Sequence, residues 1–319
     1  MLARILSYYQ VMPSYLDFLL VFGVHKHSRE KRFSGFRQQV LWAKDSNLAI
    51  DCLGRSGREF QICYNLKAVA KSTEPGLLTT SDKHWSIRQG AFHHQFDMEK
   101  GNSLWIVTRT GLDIKQRIEE LTGKSGRSED RQFQTPAECL RSSLAVHLLL
   151  CHWSCENWRS YFQWLEDTMD SEVSEAALQR KIGLTLLRES QTYLVVYSSR
   201  SHDGPRQTYS SVHLQRAQYL EEQTNEAVMV LEGNIDVLVS LKTFYADLGL
   251  NDQFPLKQDS SNDITSFAKQ IESFIYDSKM HIARGHLLAK IIAARKTIVS
   301  QAHEESLHEP NDFCVFANE

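Results

Sequence analysis

The sequence predicts an α+β fold, in which a mixed α/β N-terminal domain is followed by two long antiparallel helices. Three observations predict it. Residues between 60 and 108 alternate between apolar and polar types, as strands do. Apolar residues in the last third recur every three or four positions over stretches longer than an ordinary surface helix. A polar segment with Pro255 separates the two stretches, so the second faces the first across one turn.

Two short apolar helices are predicted at the N-terminus. The first begins at Leu2, and we expect Pro13 to stop it. Ser14 is a candidate N-cap for the second, Tyr15 to Phe22. The polar stretch from Val24 to Ser34 then forms either a solvated loop or a patch for anionic ligands or lipid headgroups. Its basic and titratable residues include His25, Lys26, His27, Arg29, Lys31 and Arg32.

Three strands are predicted next. The first, Phe60 to Ala70, alternates so that its apolar side chains share one face. The second runs from His84 to Phe96, and the third, Leu104 to Thr108, follows the turn Lys100 to Asn102. A short helix is predicted from Asp113 to Leu121.

A helix start is marked at Thr135, which is followed by Pro136 and by Glu138 in the pattern of a capping box. The apolar and aromatic residues that continue to Leu165 predict two core helices, or one helix bent near Trp153. Residues 176–197 contain further helix or strand, and Ser198 to Ser211 is a predicted linker.

The domain boundaries follow from this pattern: 1–200 for the mixed α/β domain, 201–303 for the helical hairpin and 304–319 for an unpatterned tail. We expect Gly249 to end the first long helix and the polar cluster Asp259 to Asp263 to cap the second. The first helix carries an apolar seam at Leu214, Ala217, Leu220, Thr224, Val228, Leu231, Ile235, Leu238, Leu241, Tyr245 and Leu248. The second carries one at Ile264, Ile271, Ser278, Gly285, Ile292 and Val299, seven residues apart.

Composition limits the classes of function. The 319 residues include 36 Lys and Arg and 39 Asp and Glu, a net charge of -3, so no overall basic field predicts nucleic-acid binding. No apolar run approaches the length of about 20 residues that a membrane span needs, and the chain as written is expected to be cytoplasmic. The cysteines, which are expected to be reduced, are Cys52, Cys63, Cys139, Cys151, Cys155 and Cys314.

One group of residues has the composition of a metal site: His147, Cys151, His152 and Cys155. Positions 147, 151 and 155 share one face of a helix. Because no second Cys/His pair accompanies them, we favour the interpretation as buried cysteines and a hydrogen-bonded core histidine.

Two further patterns bear on catalysis. His93, His94 and Asp97 resemble an acid/base group, but alternation in a strand sends the two histidines to opposite faces. Gly123-Lys124-Ser125 resembles the end of a phosphate-binding loop, yet Ile118 stands where that loop needs glycine. The sequence therefore does not predict an enzyme, and no catalytic residue or required cofactor is assigned.

Five carboxylates lie along the first long helix and could supply oxygen ligands to a regulatory Mg²⁺ between subunits. The alternative is that they form the solvated face of the helix. They are Glu221, Glu222, Glu226, Glu232 and Asp236.

Several strings resemble a group of filamentous-fungal proteins with a CorA-like transporter domain, related to CorA-type Mg²⁺ channels, from about Leu6 to about Val299. They are Tyr9-Gln10-Val11-Met12-Pro13 with Leu16-Asp17-Phe18, Ile62-Cys63-Tyr64-Asn65-Leu66, Trp85-Ser86-Ile87-Arg88-Gln89 with His94-Gln95-Phe96-Asp97, His147-Leu148-Leu149-Leu150-Cys151-His152-Trp153 with Glu156-Asn157-Trp158, and Thr224-Asn225-Glu226-Ala227.

The resemblance implies an α/β cytoplasmic domain and long helices, the last of which continues into a membrane span. It also implies five protomers around a pore, with a Gly-Met-Asn tripeptide at its entrance. This sequence contains neither spans nor Gly-Met-Asn. We therefore expect a cytoplasmic domain that does not transport alone, self-associates through its long helices, and reaches the membrane only in a longer gene product. A helical protein-interaction module without a cation role is the alternative.

Overall fold

The computed structural model describes residues 2–22, 33–43, 49–71, 85–108, 112–124, 126–128, 132–171 and 211–307. The basic residues 25–32, the segment 176–197, the predicted boundary near Ser201 and Cys314 lie outside these ranges. The predicted domain division therefore stays a prediction.

The elements confirm an α+β fold with the sheet first and the long helices last. The strands are β1 (Phe36–Val40), β2 (Glu59–Lys71), β3 (Trp85–Asp97) and β4 (Ser103–Thr108). The helices are α1 (Leu2–Tyr8), α2 (Tyr15–Leu20), α3 (Leu112–Thr122), α4 (Pro136–Cys155), α5 (158–171), α6 (Ser211–Leu250) and α7 (Ser261–Leu307).

The four strands form one antiparallel sheet in the order β1, β2, β3, β4. The longest pairing joins β2 to β3, from Glu59 opposite Asp97 to Lys71 opposite Trp85. Because side chains alternate along each strand, one face of this pair is apolar. The other face, called the polar face below, is mainly polar, although Cys63 and Ala91 on it pack in a second apolar cluster with residues of α1 and α2. The apolar face of β2 carries Phe60, Ile62, Tyr64, Leu66 and Ala68, as predicted.

The chain divides into two compact units. Unit 1 comprises Met1–Tyr161 and Met229–Ile282, and unit 2 comprises Phe162–Val228 and Ala283–Glu319. In unit 1 the apolar face of the sheet shares one core with α4 and with the parts of α6 and α7 that belong to this unit. The long helices therefore bury their seams against the sheet as well as against each other.

Unit 2 contains the remaining described parts of α5, α6 and α7. Phe162 and Ile292 are buried there, and Gly285 lies against Val228. An added Cβ at Gly285 would lie 2.6 Å from Cγ2 of Val228, so the helices approach closely at this point. In unit 1, α6 and α7 are antiparallel, since Lys242 pairs with Glu272 and Gly249 lies against Ile264. In unit 2, Glu221 of α6 pairs with Lys296 of α7.

Local signals fix several helix ends. Thr135 and Glu138 form the predicted capping box, in which Oγ1 of Thr135 accepts from the Glu138 N–H at 3.3 Å. The apolar stretch that follows is two helices, because Glu156 is extended and Asn157 has a φ of 67°.

Two N-terminal predictions were wrong. Ser14 has helical dihedral angles and makes no side-chain capping bond. The first helix ends at Tyr8, where Gln10 turns the chain with a φ of 51°, before Pro13 is reached. At the other end α6 runs one residue beyond Gly249, to Leu250, which is within the usual uncertainty of a helix end.

Candidate functional site

His147 is buried in the core of unit 1 and lies at the centre of a hydrogen-bonded chain that ends at the exposed Ser103 and the buried Ser143. Its Nδ1 is 2.7 Å from the hydroxyl oxygen of Tyr64, and its Nε2 is 3.1 Å from Nδ1 of His94. Nε2 of His94 is 2.9 Å from Oγ of Ser103, which lies 3.2 Å from Oγ of Ser143. The chain thus joins β2, α4, β3 and β4 through side chains.

Burial sets the charge of this chain. Tyr64, His94 and His147 are fully buried, and burial lowers the pKa of His147 to about 3. Burial, together with the neighbouring His147 and His93, holds the pKa of His94 well below its usual range. Both imidazoles are therefore neutral at pH 7. The Trp105 ring stacks on His94 with the ring centroids 4.2 Å apart and an interplanar angle of 13°.

The residues with metal-site composition do not assemble such a site. Both ring nitrogens of His147 already have hydrogen-bond partners. Cys151 is buried in the core, and burial raises its pKa well above the ordinary value. The His152 side chain is 63% exposed and lies 2.9 Å from Glu156. His147 and Cys151 thus lie in the core, whereas His152 is exposed and Cys155 is partly buried. Among the described residues, no group of three or more His, Cys, Asp or Glu is arranged for a metal ion.

The described cysteines form no disulfide with one another. They are Cys52, Cys63, Cys139, Cys151 and Cys155. Sγ of Cys155 lies 3.8 Å from Oγ of Ser278, and burial raises the pKa of this thiol. A thiol with a raised pKa is a poor nucleophile at pH 7.

The polar face of the sheet holds a buried arginine that the sequence did not reveal. Arg55 is 5% exposed and donates to Oε1 of Gln10 at 2.9 Å, to Oε1 of Gln95 at 2.5 Å and to the carbonyl of Tyr9. Its Nε lies 3.7 Å from Oε2 of Glu59. Burial lowers the pKa of Arg55, and the nearby carboxylates oppose this. The contacts fasten the turn after α1 to β3.

The predicted acid/base group is divided between the two faces of the sheet. His94 points into the apolar core, whereas Nε2 of His93 lies 3.1 Å from Oε1 of Gln61 on the polar face. Burial and the Arg55 charge lower the pKa of His93 to about 3. The Asp97 carboxylate accepts from the backbone N–H groups of Ser56 and Lys100 at 2.5 and 2.7 Å. This carboxylate therefore anchors two turns, and the predicted separation of His93 from His94 is confirmed.

The end of β2 is held by two polar side chains. Nζ of Lys67, which is 1% exposed, donates to the carbonyl of Phe33 at 2.6 Å and to Oγ of Ser34 at 2.7 Å. Burial lowers the pKa of Lys67 to about 8. The carboxamide of Asn234 on α6 accepts from the backbone N–H of Lys67 at 3.0 Å and donates to its carbonyl at 2.7 Å. The Asn234 side chain thus makes the two backbone hydrogen bonds that a neighbouring strand would otherwise make with Lys67.

The α6 carboxylates are distributed over both units. Glu221 lies in unit 2 and accepts from Nζ of Lys296 at 2.5 Å. Glu222 is exposed in unit 2, and Glu232 and Asp236 are exposed in unit 1. Glu226 is half-buried.

The phosphate-loop resemblance has the wrong geometry. Gly123 follows the C-terminus of α3, where helix carbonyls gather, whereas phosphates bind at helix N-termini. An added Cβ at Gly123 would lie 2.4 Å from the carbonyl oxygen of Glu119, which indicates a tight helix-ending turn. Ser125 lies outside the described residues.

A family model described as CorA-like transporters matches residues 1–177, more than half of the 319 residues. No curated protein matches the chain. The matched region includes all five members of the hydrogen-bonded chain, which are Tyr64, His94, Ser103, Ser143 and His147. Within the part of the chain that the structure describes, no helix combines the length and apolarity needed to span a membrane.

Proposed function

Because the chain belongs to the family of CorA-like transporters, we propose that it acts as the cytoplasmic, cation-responsive domain of a divalent-cation transport system. The observation that carries the proposal is the family match over residues 1–177. The sheet, which lies in the matched region, shares a single core with α6 and α7 in unit 1. Close-packed cores transmit displacement instead of absorbing it. A ligand or neighbouring subunit that acts on these helices would therefore act on the sheet.

We assign ion conduction to membrane-spanning segments of a longer form of this protein or of a partner, not to the described residues. An ion crossing the hydrocarbon layer needs a continuous polar pathway. The core of unit 1 is instead filled by aromatic rings, with Phe60, Phe92 and Phe96 each fully buried. In this proposal the chain does not transport alone and is not an enzyme.

Mg²⁺ is the proposed regulatory ligand. Hard cations prefer carboxylate and water oxygens, and α6 exposes Glu222, Glu232 and Asp236. Glu221 is the weakest candidate of the α6 carboxylates, since Lys296 already neutralises it. Removing single charges with Glu222→Gln in unit 2 and Asp236→Asn in unit 1 would locate the response.

Self-association through the long helices is the proposed assembly. Helix α7 exposes large apolar side chains, with Tyr276 at 62%, Met280 at 50% and Leu287 at 61% exposure. Burying such side chains between subunits stabilises an oligomer by about 25 cal/mol per Å² of apolar area.

Sedimentation velocity tests this assembly with and without Mg²⁺, using Ca²⁺ and NaCl at equal ionic strength as controls. We expect an oligomer that dissociates in Met280→Glu and persists in Lys279→Glu, a matched change at the neighbouring exposed position. A wild-type chain that stays monomeric at high concentration in every buffer would refute the assembly.

A helical protein-interaction module without a cation role is the second candidate. The pairing of Glu221 with Lys296 favours this candidate, because the Glu221 carboxylate already forms an ion pair within the protein. In that case self-association or partner binding would be equal in Mg²⁺, Ca²⁺ and NaCl.

A further inference from the structure

A cavity of about 700 Å³ opens between α3, α4 and α7 in unit 1. Its floor is apolar: Leu144 and Phe267 are 3% and 1% exposed, and the half-buried Leu148 and Phe274 pack against the same core. Sites for small molecules in proteins typically measure about 300 to 1,000 Å³ and combine an apolar lining with a few polar groups. The volume and lining of this cavity fit that description.

Three arginines line the cavity: Arg117, Arg127 and Arg141. The side chains of Arg117 and Arg141 are each 37% exposed, far more than the floor. Arg117 donates both terminal nitrogens to the Glu156 carboxylate. Arg141 uses only Nε among the described contacts, at 3.0 Å from Oδ2 of Asp263. Its two terminal nitrogens therefore remain available to a ligand.

The three arginines outnumber the two carboxylates of the lining, Glu120 and Asp263, so the lining has a net positive charge that favours an anionic ligand. The planar guanidinium of arginine binds carboxylate or phosphate oxygens in pairs, and such charge-assisted hydrogen bonds are stronger than neutral ones. An apolar body would cover Leu148 and Phe274, which are left half-exposed by the protein itself. We propose that this cavity binds a small amphipathic anion, with its apolar body on the floor and its single carboxylate or phosphate at Arg141.

This ligand is an organic anion, so the proposal stands apart from cation binding on α6. Isothermal titration calorimetry with the full chain tests it, with octanoate as the probe. Octyl phosphate distinguishes the two headgroups, and 1-octanol supplies the same apolar body without charge. Arg141→Gln removes the headgroup contact. Arg295→Gln is the matched control, because Arg295 is also 37% exposed and pairs with one carboxylate, Asp170, at 3.1 Å.

We expect saturable binding of one octanoate or octyl phosphate per chain, weaker binding of octanol, and a loss of about tenfold in anion affinity in Arg141→Gln. Arg295→Gln should bind as the wild type does. Ala145→Leu, which fills part of the cavity without removing a charge, should weaken the binding of all three ligands. Circular dichroism verifies that each variant is folded.

Two results would overturn the proposal. One is the absence of saturable binding by the wild-type chain at millimolar probe. The other is equal binding of octanoate and octanol that Arg141→Gln and Ala145→Leu leave unchanged, which would mean adsorption to apolar surface elsewhere.

Discussion

Nε2 of His147 lies 3.1 Å from Nδ1 of His94, and both side chains are fully buried. One nitrogen of this pair must carry the proton. If His147 donates through Nε2, its Nδ1 accepts from the Tyr64 hydroxyl and His94 donates through Nε2 to Ser103. The reverse direction leaves the Tyr64 proton without an acceptor among the described contacts. The network therefore assigns the Nε2–H tautomer to both histidines.

Stability should fall as the pH drops below 6.5. The folded state holds the pKa of His93 and of His147 at about 3, and that of His94 also below its usual range, whereas the unfolded chain has ordinary histidines. Unfolding therefore takes up protons in this window, and acid favours it. We expect the free energy of unfolding to decrease by about 1 kcal/mol per buried histidine between pH 6.5 and 5.5. Urea denaturation at several pH values measures this.

A control separates the buried histidines from general acid effects. The His147→Gln variant should have a lower free energy of unfolding than the wild type at pH 7.5. Its free energy of unfolding should also change less with pH. His152→Gln changes a histidine that is 63% exposed, so the contribution of the three buried histidines to the slope should remain. A wild-type stability that is constant from pH 7.5 to 5 would contradict the neutral assignment.

Tyr64→Phe should destabilise unit 1 by about 1 to 3 kcal/mol, because the buried Nδ1 of His147 loses its partner at 2.7 Å. Tyr245→Phe is the matched control. The Tyr245 hydroxyl is also buried but lies 3.5 Å from His94, at the limit of a hydrogen bond, so its loss should cost less than about 0.5 kcal/mol. Equal losses in the two variants, measured by chemical denaturation, would disprove the proposed role of the Tyr64 bond.

Asn234→Ala should lower the free energy of unfolding by about 2 to 3 kcal/mol, since both backbone polar groups of Lys67 lose their side-chain partner. Asn225→Ala, at an exposed position of the same helix, should be neutral or slightly stabilising because alanine favours helices. Hydrogen exchange at the Lys67 amide gives a local readout: protection should drop in the first variant alone.

Gly285→Ala should destabilise unit 2 by about 1 to 2 kcal/mol, because the new Cβ would lie 2.6 Å from Val228 and 3.0 Å from Phe162. Gly249→Ala meets its nearest neighbour, Ile264, at 3.3 Å, and the gain in helix propensity of about 1 kcal/mol should offset the contact. The midpoint of thermal unfolding of each variant, compared with that of the wild type, checks both expectations. A more stable Gly285→Ala chain would show that the helices can separate at no cost.

Elements with strong periodicity could be predicted from sequence. The alternation of Ile62, Tyr64 and Leu66 located β2, and the seven-residue spacing from Ile264 to Ile292 located the buried face of α7. Strand β1 was missed because Arg37, Gln38 and Gln39 follow one another without alternation, and only pairing with β2 makes them a strand.

The polar networks could not be predicted, because their members are distant in sequence. Tyr64 and His147 are separated by 83 positions, and Lys67 and Asn234 by 167. Each residue type taken alone is common in helices and strands. Arg55 likewise could not be identified from the sequence, because its buried contacts to Tyr9 and Gln10 depend on the position of the turn after α1.

Thermal unfolding of the purified chain against Mg²⁺ concentration tests the proposed cation response most directly, with Ca²⁺ and NaCl at matched ionic strength as controls. A ligand that binds only the folded state adds about 2.7 kcal/mol at 100 times its dissociation constant. We expect a saturable rise in Tm that is specific to Mg²⁺ and is reduced in Glu222→Gln or Asp236→Asn. A Tm that does not change, or that rises equally in NaCl, would contradict it.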